Sequence, residues 1–379
     1  MKSQTTFPLE LIREILLRSP VRSLLRLKCV CKSWHALISD PEFRISHYDL
    51  AAAPSHRLLL RSDPFYVESF DIEAPLLENS SAVNLPLLPP SPPRNRRHYN
   101  LNVHYDFKYE ILGSCRGLIL LYNQLRNDRY FTLWNPSIGV HKRLSNFISS
   151  LTSCYLYGFG YESSTDDYLL VLLGFSSGDI QIFSFKTNSW KENCIYLPYR
   201  VRYYKSRFGS LFNETLHWLV FSATKNVPVI IAFDLIQRAG TERWCLSEIP
   251  LPYHLTRENY EVYNLRVLGG YLSVCCTVRG CATSEIWVMK EYKVQSSWTR
   301  TIDIPARSFS MICSTKDGGM YISNICGLQK INHKGELLEY LAYDGDRELF
   351  CANLPSALYR ESLLPLPSVI RESTEDDQQ

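Results

Sequence analysis

The sequence has almost no charge imbalance. Its 379 residues carry 41 basic and 38 acidic side chains, a formal charge of +3. That gives no general attraction to a nucleic-acid backbone or an anionic membrane. No apolar run comes near the ~20 residues a membrane-crossing helix needs. No secretory leader is expected: Met1 to Thr6 is polar, and Glu10, Arg13 and Glu14 interrupt the next stretch. Paired C-x-x-C units are absent among the 12 cysteines. Cys275, Cys276 and Cys281 cluster, but the nearest histidine is His254, and none stands at zinc-finger spacing. The expectation is reduced, buried thiols, no metal, no disulfide framework and a reducing compartment, the cytoplasm or nucleus.

Catalytic signatures are equally scarce. There is no phosphate-binding loop and no nucleophile elbow. Gly158-Phe159-Gly160 has no third glycine at dinucleotide spacing and reads as a turn. Asp166-Asp167 reads as a solvated turn, since neighbours on a strand face opposite ways. His217, beside Trp218, reads as a packed histidine. Asn135 and Asp234 suit turns in which the side chain bonds to backbone. Cys31 sits in an apolar helical setting that does not favour thiolate. No catalytic residue and no cofactor are expected.

What is present is apolar and aromatic. Hydrophobic residues make up 45% of the chain, with 24 Tyr and 17 Phe, a balance that supplies a core and favours strands. The length fits two or three domains, or one small module ahead of a large β domain.

Residues 7 to 47 differ from the rest. Leu9, Ile12, Ile15 and Leu16 recur at helical spacing, and Pro8 suits a first turn. Pro20 breaks the helix. Leu24, Leu25, Leu27 and Val30 mark a second segment, with Ser23 as its expected N-cap. Trp34, Leu37 and Ile38 mark a third, stopped at Asp40-Pro41. Three short helices bury too little to stand comfortably alone and carry more large apolar side chains than they can hide.

The stretch from Phe7 to Phe43, most specifically Val30-Cys31-Lys32-Ser33-Trp34 followed by Leu37-Ile38, resembles the F-box. Two residues depart from that pattern: Phe7 and Ser19 each stand where the family usually has Leu. The resemblance implies that Pro8, Leu9, Ile12, Ile15, Leu16, Leu24, Val30 and Trp34 form, or support, a docking surface for a Skp-type adaptor. Through that adaptor it implies a cullin and a RING subunit.

Behind His47 come short apolar or alternating runs bounded by Gly, Asn, Asp and Ser, the signal of strands. A phrase of apolar strand, polar turn and Trp recurs. It runs from Ile182 to Trp190, from Ala232 to Trp244 and from Ile286 to Trp298, and the three Trp stand 54 residues apart. Degenerate copies lie at Thr132 to His141, Leu328 to Leu338 and Tyr66 to Ile72. A period near ~50 with about four strands per unit is that of a propeller blade. The expectation is about six blades between residue 55 and about 363, closed into a ring; a sandwich or two-domain β arrangement is the alternative. Trp134, Trp190, Trp244 and Trp298 are expected between blades.

This region resembles the F-box-associated domain, type one, and the kelch-like domains behind plant F-boxes. Ser114-Cys115-Arg116-Gly117-Leu118, Leu133-Trp134-Asn135-Pro136-Ser137, Tyr157-Gly158-Phe159-Gly160-Tyr161, Leu216-His217-Trp218 and Ile286-Trp287-Val288-Met289 carry it, in family order. Arg116 stands where Asn is common.

The reading is a small all-α F-box module (1–48), an all-β, kelch-like β-propeller domain (49–365) and a polar acidic tail (366–379) expected to be disordered. The resemblance implies a non-enzymatic receptor subunit of a Skp–cullin–F-box ubiquitin ligase, holding an unknown target protein. The alternative is a protein- or glycan-binding module without ligase function. Propeller ligands meet loops at one end of the ring. Candidate loops run from Arg94 to His104, Tyr199 to Arg207 and Tyr253 to Glu261, with Arg96, Arg97, Tyr203, Tyr204 and Tyr260 as target contacts.

Overall fold

A computed structural model describes residues 8–50, 56–61, 67–76, 81–83, 107–125, 128–144, 155–174, 178–194, 197–201, 207–236, 246–257, 259–305, 309–324, 327–342 and 356–367. Four short helices come first: α1 Leu9–Leu17, α2 Val21–Leu27, α3 Lys32–Ser39 and α4 Pro41–Leu50. The fourth is one more than the pattern suggested. Asp40-Pro41 does stop α3, but it also starts α4: Asp40 Oδ2 accepts the Phe43 N–H at 2.9 Å, and proline suits a first helical position. Ser23 is not a cap; it lies inside α2, whose N-cap is Pro20.

Six antiparallel sheets come next. The first holds β1 (His56–Arg61), β2 (Val67–Asp71) and β3 (Ser81–Val83). The second holds β4 (Phe107–Cys115), β5 (Leu118–Leu125), β6 (Asp128–Asn135) and β7 (Val140–Leu144). The third holds β8 (Tyr155–Glu162), β9 (Asp167–Gly174), β10 (Asp179–Ser184) and β11 (Ser189–Cys194). The fourth holds β12 (Tyr199–Arg200), β13 (Ser210–Phe212), β14 (Thr215–Ser222), β15 (Pro228–Asp234) and β16 (Leu246–Ile249). The fifth holds β17 (Tyr260–Leu268), β18 (Tyr271–Val278), β19 (Ser284–Met289) and β20 (Trp298–Ile304). The sixth holds β21 (Ser310–Ser314), β22 (Met320–Ser323), β23 (Gly327–Ile331) and β24 (Leu337–Ala342). The last strand, β25 (Ser356–Arg360), returns to the first sheet and pairs with β1, Leu58 opposite Leu358.

Each seam between consecutive sheets has its own apolar core, and the sixth joins Leu58, Leu60 and Phe70 of the first sheet to Cys313, Tyr321 and Leu328 of the last. Six sheets with six seams make a closed six-bladed propeller, which excludes the sandwich. The seams explain the wholly apolar runs. Every residue of β9 is buried because blades cover both faces of its sheet. Outermost β11 has no buried residue. In three blades the recurring phrase marks the outer hairpin: Trp190 lies opposite Phe183, Trp298 opposite Met289 and His141 opposite Trp134. Trp134, Trp190 and Trp298 pack into seams as expected; Trp244 lies outside the described residues.

Gly158 and Gly160 are not a turn. They lie inside β8, where a Cβ on Gly158 would sit 2.5 Å from Leu216 Cδ1 and 2.7 Å from Trp218. Glycine is used there for close approach of two blades. Arg116 explains its own oddity. With Gly117 it forms the two-residue turn between β4 and β5, both at positive φ (49° and 80°). That geometry favours Asn or Gly.

Candidate docking surface and its junction with the propeller

Helix α1 begins where the Pro8 carbonyl accepts the N–H groups of Leu11 and Ile12. Its inner side buries Leu16 and Leu17, and with Val21, Leu24, Ile38 and Phe43 they form the core of the helical module. Ile12 and Trp34 pack half-buried on that core. The eight residues of the expected docking set therefore separate. Leu16 and Leu24 are core, Ile12 and Trp34 support it, and Pro8, Leu9, Ile15 and Val30 face solvent. Leu9 is 59% exposed, Ile15 61% and Val30 60%. Leu11, outside the expected set, is 52% exposed. Its signal is in the sequence: Leu11 and Ile15 are four apart and share a helix face. Large apolar side chains this open, on so small a module, make this the candidate docking surface.

Ser19 stands where an apolar residue was expected. Its Oγ donates to the Ile15 carbonyl at 2.9 Å, and its own carbonyl meets His47 Nε2 at 2.8 Å. His47 is buried, which lowers its pKa. Cys31 departs from its reading. It is extended and exposed at the N-cap of α3, where Ser33 and the Trp34 N–H favour its thiolate. The cysteines divide: Cys115, Cys275, Cys276 and Cys313 are buried, whereas Cys29, Cys31, Cys194 and Cys281 are exposed.

The module is joined to the propeller by the segment after β25. Leu363 is buried within the helical core itself, and Ile138 packs against it. Arg22 Nε donates to Glu361 Oε1 at 3.1 Å, and Arg57 Nε lies 4.0 Å from the same oxygen. Arg360 donates to the Tyr48 carbonyl. The guanidinium groups of Arg360 and Arg116 lie over the Tyr48 ring, 4.1 and 5.1 Å from its centroid, and Arg116 also lies 4.2 Å from that of Tyr161. Asn135 Nδ2 anchors the segment from the propeller side through the carbonyls of Ser362 and Leu364.

Of the expected target contacts, Arg96, Arg97, Tyr203 and Tyr204 lie outside the described residues. Tyr260 is half-buried against His254, which in turn meets Trp287 at 4.4 Å. The open aromatic of that loop is Tyr253, 75% exposed, with Arg257 above its ring.

His217, Asp234 and Asp167 are held in structural contacts. His217 is fully buried between the Ser210 carbonyl at 3.2 Å and the Tyr292 hydroxyl at 2.8 Å, and burial pushes its pKa down to about 4. Asp234 Oδ1 accepts the Ile236 N–H, closing a turn. Asp166 is exposed, but Asp167 is not solvated: it starts β9 buried, bonds the Ser184 hydroxyl and the Lys186 N–H, and burial raises its pKa. Among the described residues no His, Cys, Asp and Glu group is arranged to hold a metal, and no helix is long and apolar enough to cross a membrane.

Comparison with known proteins places these features. The F-box domain pattern matches residues 5–46, and the F-box associated beta propeller domain pattern matches residues 78–326. An F-box/kelch-repeat protein of Arabidopsis thaliana is 32% identical over 319 residues, 80% of this chain and 81% of its own length. The Arabidopsis thaliana F-box protein CPR1 is 28% identical over 327 residues, 79% of this chain and 73% of its own. An F-box/WD-40 repeat-containing protein of the same plant is 25% identical over 326 residues, 80% and 70%. Both kelch and WD-40 labels occur, so what these relatives share by name is the F-box, not one repeat type.

Proposed function

We propose that this chain, which belongs to the F-box proteins with an associated β-propeller domain, is the target-receptor subunit of a Skp–cullin–F-box ubiquitin ligase. The observation that carries the reading is the exposed apolar set Leu9, Leu11, Ile15 and Val30, on a module whose own core is already filled by Leu16, Leu24 and Ile38. On this reading those four side chains, with Pro8, meet a Skp-type adaptor, and Ile12, Leu16, Leu24 and Trp34 hold them in place. The adaptor brings the cullin and RING subunits. The receptor needs no catalytic group. It raises the effective concentration of target lysines near a charged conjugating enzyme.

The target would meet the loops at one end of the ring, and the exposed Tyr253 beside half-buried Tyr260 is the best-placed described candidate. The working compartment is the cytosol or nucleus, where exposed thiols such as Cys31 and Cys281 stay reduced. The experiment is reconstitution with a Skp-type adaptor, cullin and RING subunit. The expected result is a stable complex that, supplied with ubiquitin, ATP and the activating and conjugating enzymes, ubiquitinates this chain itself when no target is added. A chain that folds yet joins no such complex would be a free-standing binding module instead.

A further inference from the structure

Ser19 stands where the F-box pattern usually has Leu, and the exchange does more than remove an apolar side chain. It creates Ser19-Pro20-Val21-Arg22, a serine followed directly by proline and, at the third place after it, by a basic residue. Proline-directed kinases read that spacing: the proline selects the serine, and acidic groups of the kinase meet the basic side chain. The pattern lies at the surface, in the link between α1 and α2. Pro20 is extended (φ −59°, ψ 148°), and a residue before proline is held extended as well. Arg18, Pro20 and Arg22 are exposed, and Ser19 keeps part of its surface open to solvent. The Ser19 hydroxyl is engaged only with the Ile15 carbonyl, at 2.9 Å.

That contact gives the position its consequence. Ile15 is one of the open apolar side chains of the docking surface, and Ser19 lies one helical turn beyond it. A phosphate on Ser19 Oγ removes the O–H donor and brings about two negative charges to the edge of that surface. A partner that covers Ile15 then has to strip water from those charges, which costs binding. Arg22 adds a second effect. It already holds Glu361 at 3.1 Å, and a phosphate three residues before it competes for the same guanidinium.

We propose that Ser19 is a phosphorylation site for a proline-directed kinase, and that phosphate there releases the chain from its adaptor. In the transfer Ser19 Oγ bonds to the γ-phosphorus of a nucleoside triphosphate. The bond from that phosphorus to its bridging oxygen breaks, the nucleoside diphosphate leaves, and the hydroxyl proton passes to the base of the kinase. The release rests on the adaptor reading of the docking surface; the modification site does not.

The test treats the purified full chain with a cyclin-dependent kinase and ATP, locates the phosphate by mass spectrometry, and measures affinity for a Skp-type adaptor before and after. Ser91-Pro92-Pro93-Arg94 repeats the pattern outside the described residues, so Ser19→Ala is treated in parallel. The expected result is phosphate on Ser19 and adaptor binding at least about tenfold weaker. Treated Ser19→Ala should bind as it did untreated, and a phosphatase should restore the wild type. Phosphate on Ser91 alone, or on no residue, overturns the site. Phosphate on Ser19 with unchanged adaptor affinity overturns the release, as does an equal loss in treated Ser19→Ala. If the untreated chain binds no adaptor, the docking reading fails and the release falls with it, while the phosphate map still decides the site.

Discussion

Arg22 of helix α2 and Glu361 of the closing segment are joined at 3.1 Å although 339 residues separate them. Glu361 is nearly enclosed, its side chain 7% exposed, while Arg22 is 55% exposed. The pair sits where Leu363 enters the helical core and Arg360 holds Tyr48. The segment that completes the ring through β25 thus also completes the F-box. The two units share structure at this segment.

Leu363→Ala tests that sharing. Removing a buried leucine from a filled core costs about 2–5 kcal/mol. Leu363 is 1% exposed and lies among Leu16, Leu24 and Phe43, so the loss should fall on the helices. Hydrogen exchange should accelerate in α1 to α3 and stay slow in central strands such as β9 and β14. Uniform protection in the helices would show that the module folds without the C-terminal segment.

Gly158→Ala should destabilise by about 1–3 kcal/mol, because the new methyl group meets Leu216 and Trp218 in a filled seam. Gly139→Ala is the comparison: it has open space but a φ of 72°, so only backbone strain is added, about 1 kcal/mol. Urea unfolding should rank Gly158→Ala as the worse. The reverse ranking would mean that the blades part easily.

His217 sets an acid limit. Its pKa falls from 6.5 in the unfolded chain to about 4 in the fold. The unfolded chain therefore binds the proton first, and stability drops as pH falls from 6.5 to about 4, by about 3 kcal/mol in all. Asp167, with its pKa raised by burial, acts in the opposite sense near the bottom of that range. The difference between wild type and His217→Gln isolates the histidine: it should shrink as pH falls through the window. A difference independent of pH would mean that the fold leaves the His217 pKa where the unfolded chain has it.

Much of the architecture is legible in the sequence, for physical reasons. The outer hairpins repeat because every blade must bury its faces in the same way, and their phrases fall in phase with the observed strands. The rest depends on neighbours that are remote in the chain. Ring closure by β25 has no local signature, since Ser356–Arg360 reads like any short strand. Periodicity places Ile15 and Leu16 on one apolar stripe. Which of them is covered is decided by the bundle's packing, completed by Leu363 from the other end of the chain. Gly158 reads as a turn because glycine usually marks one; only Leu216 and Trp218 in the next blade explain it. Asp167 reads like Asp166, yet a strand start buries one and a turn exposes the other.

The most direct test of the central claim is the affinity of the purified chain for a Skp-type adaptor, measured by calorimetry beside a variant carrying Leu9→Asp and Ile15→Asp. Both positions are more than half exposed, so the variant should unfold within about 1 kcal/mol of wild type. Placing two unpaired charges in an apolar interface should cost several kcal/mol of binding. The account predicts that wild type binds and the equally stable variant does not. Equal affinity in the two proteins, or no binding by a folded wild type, would contradict it.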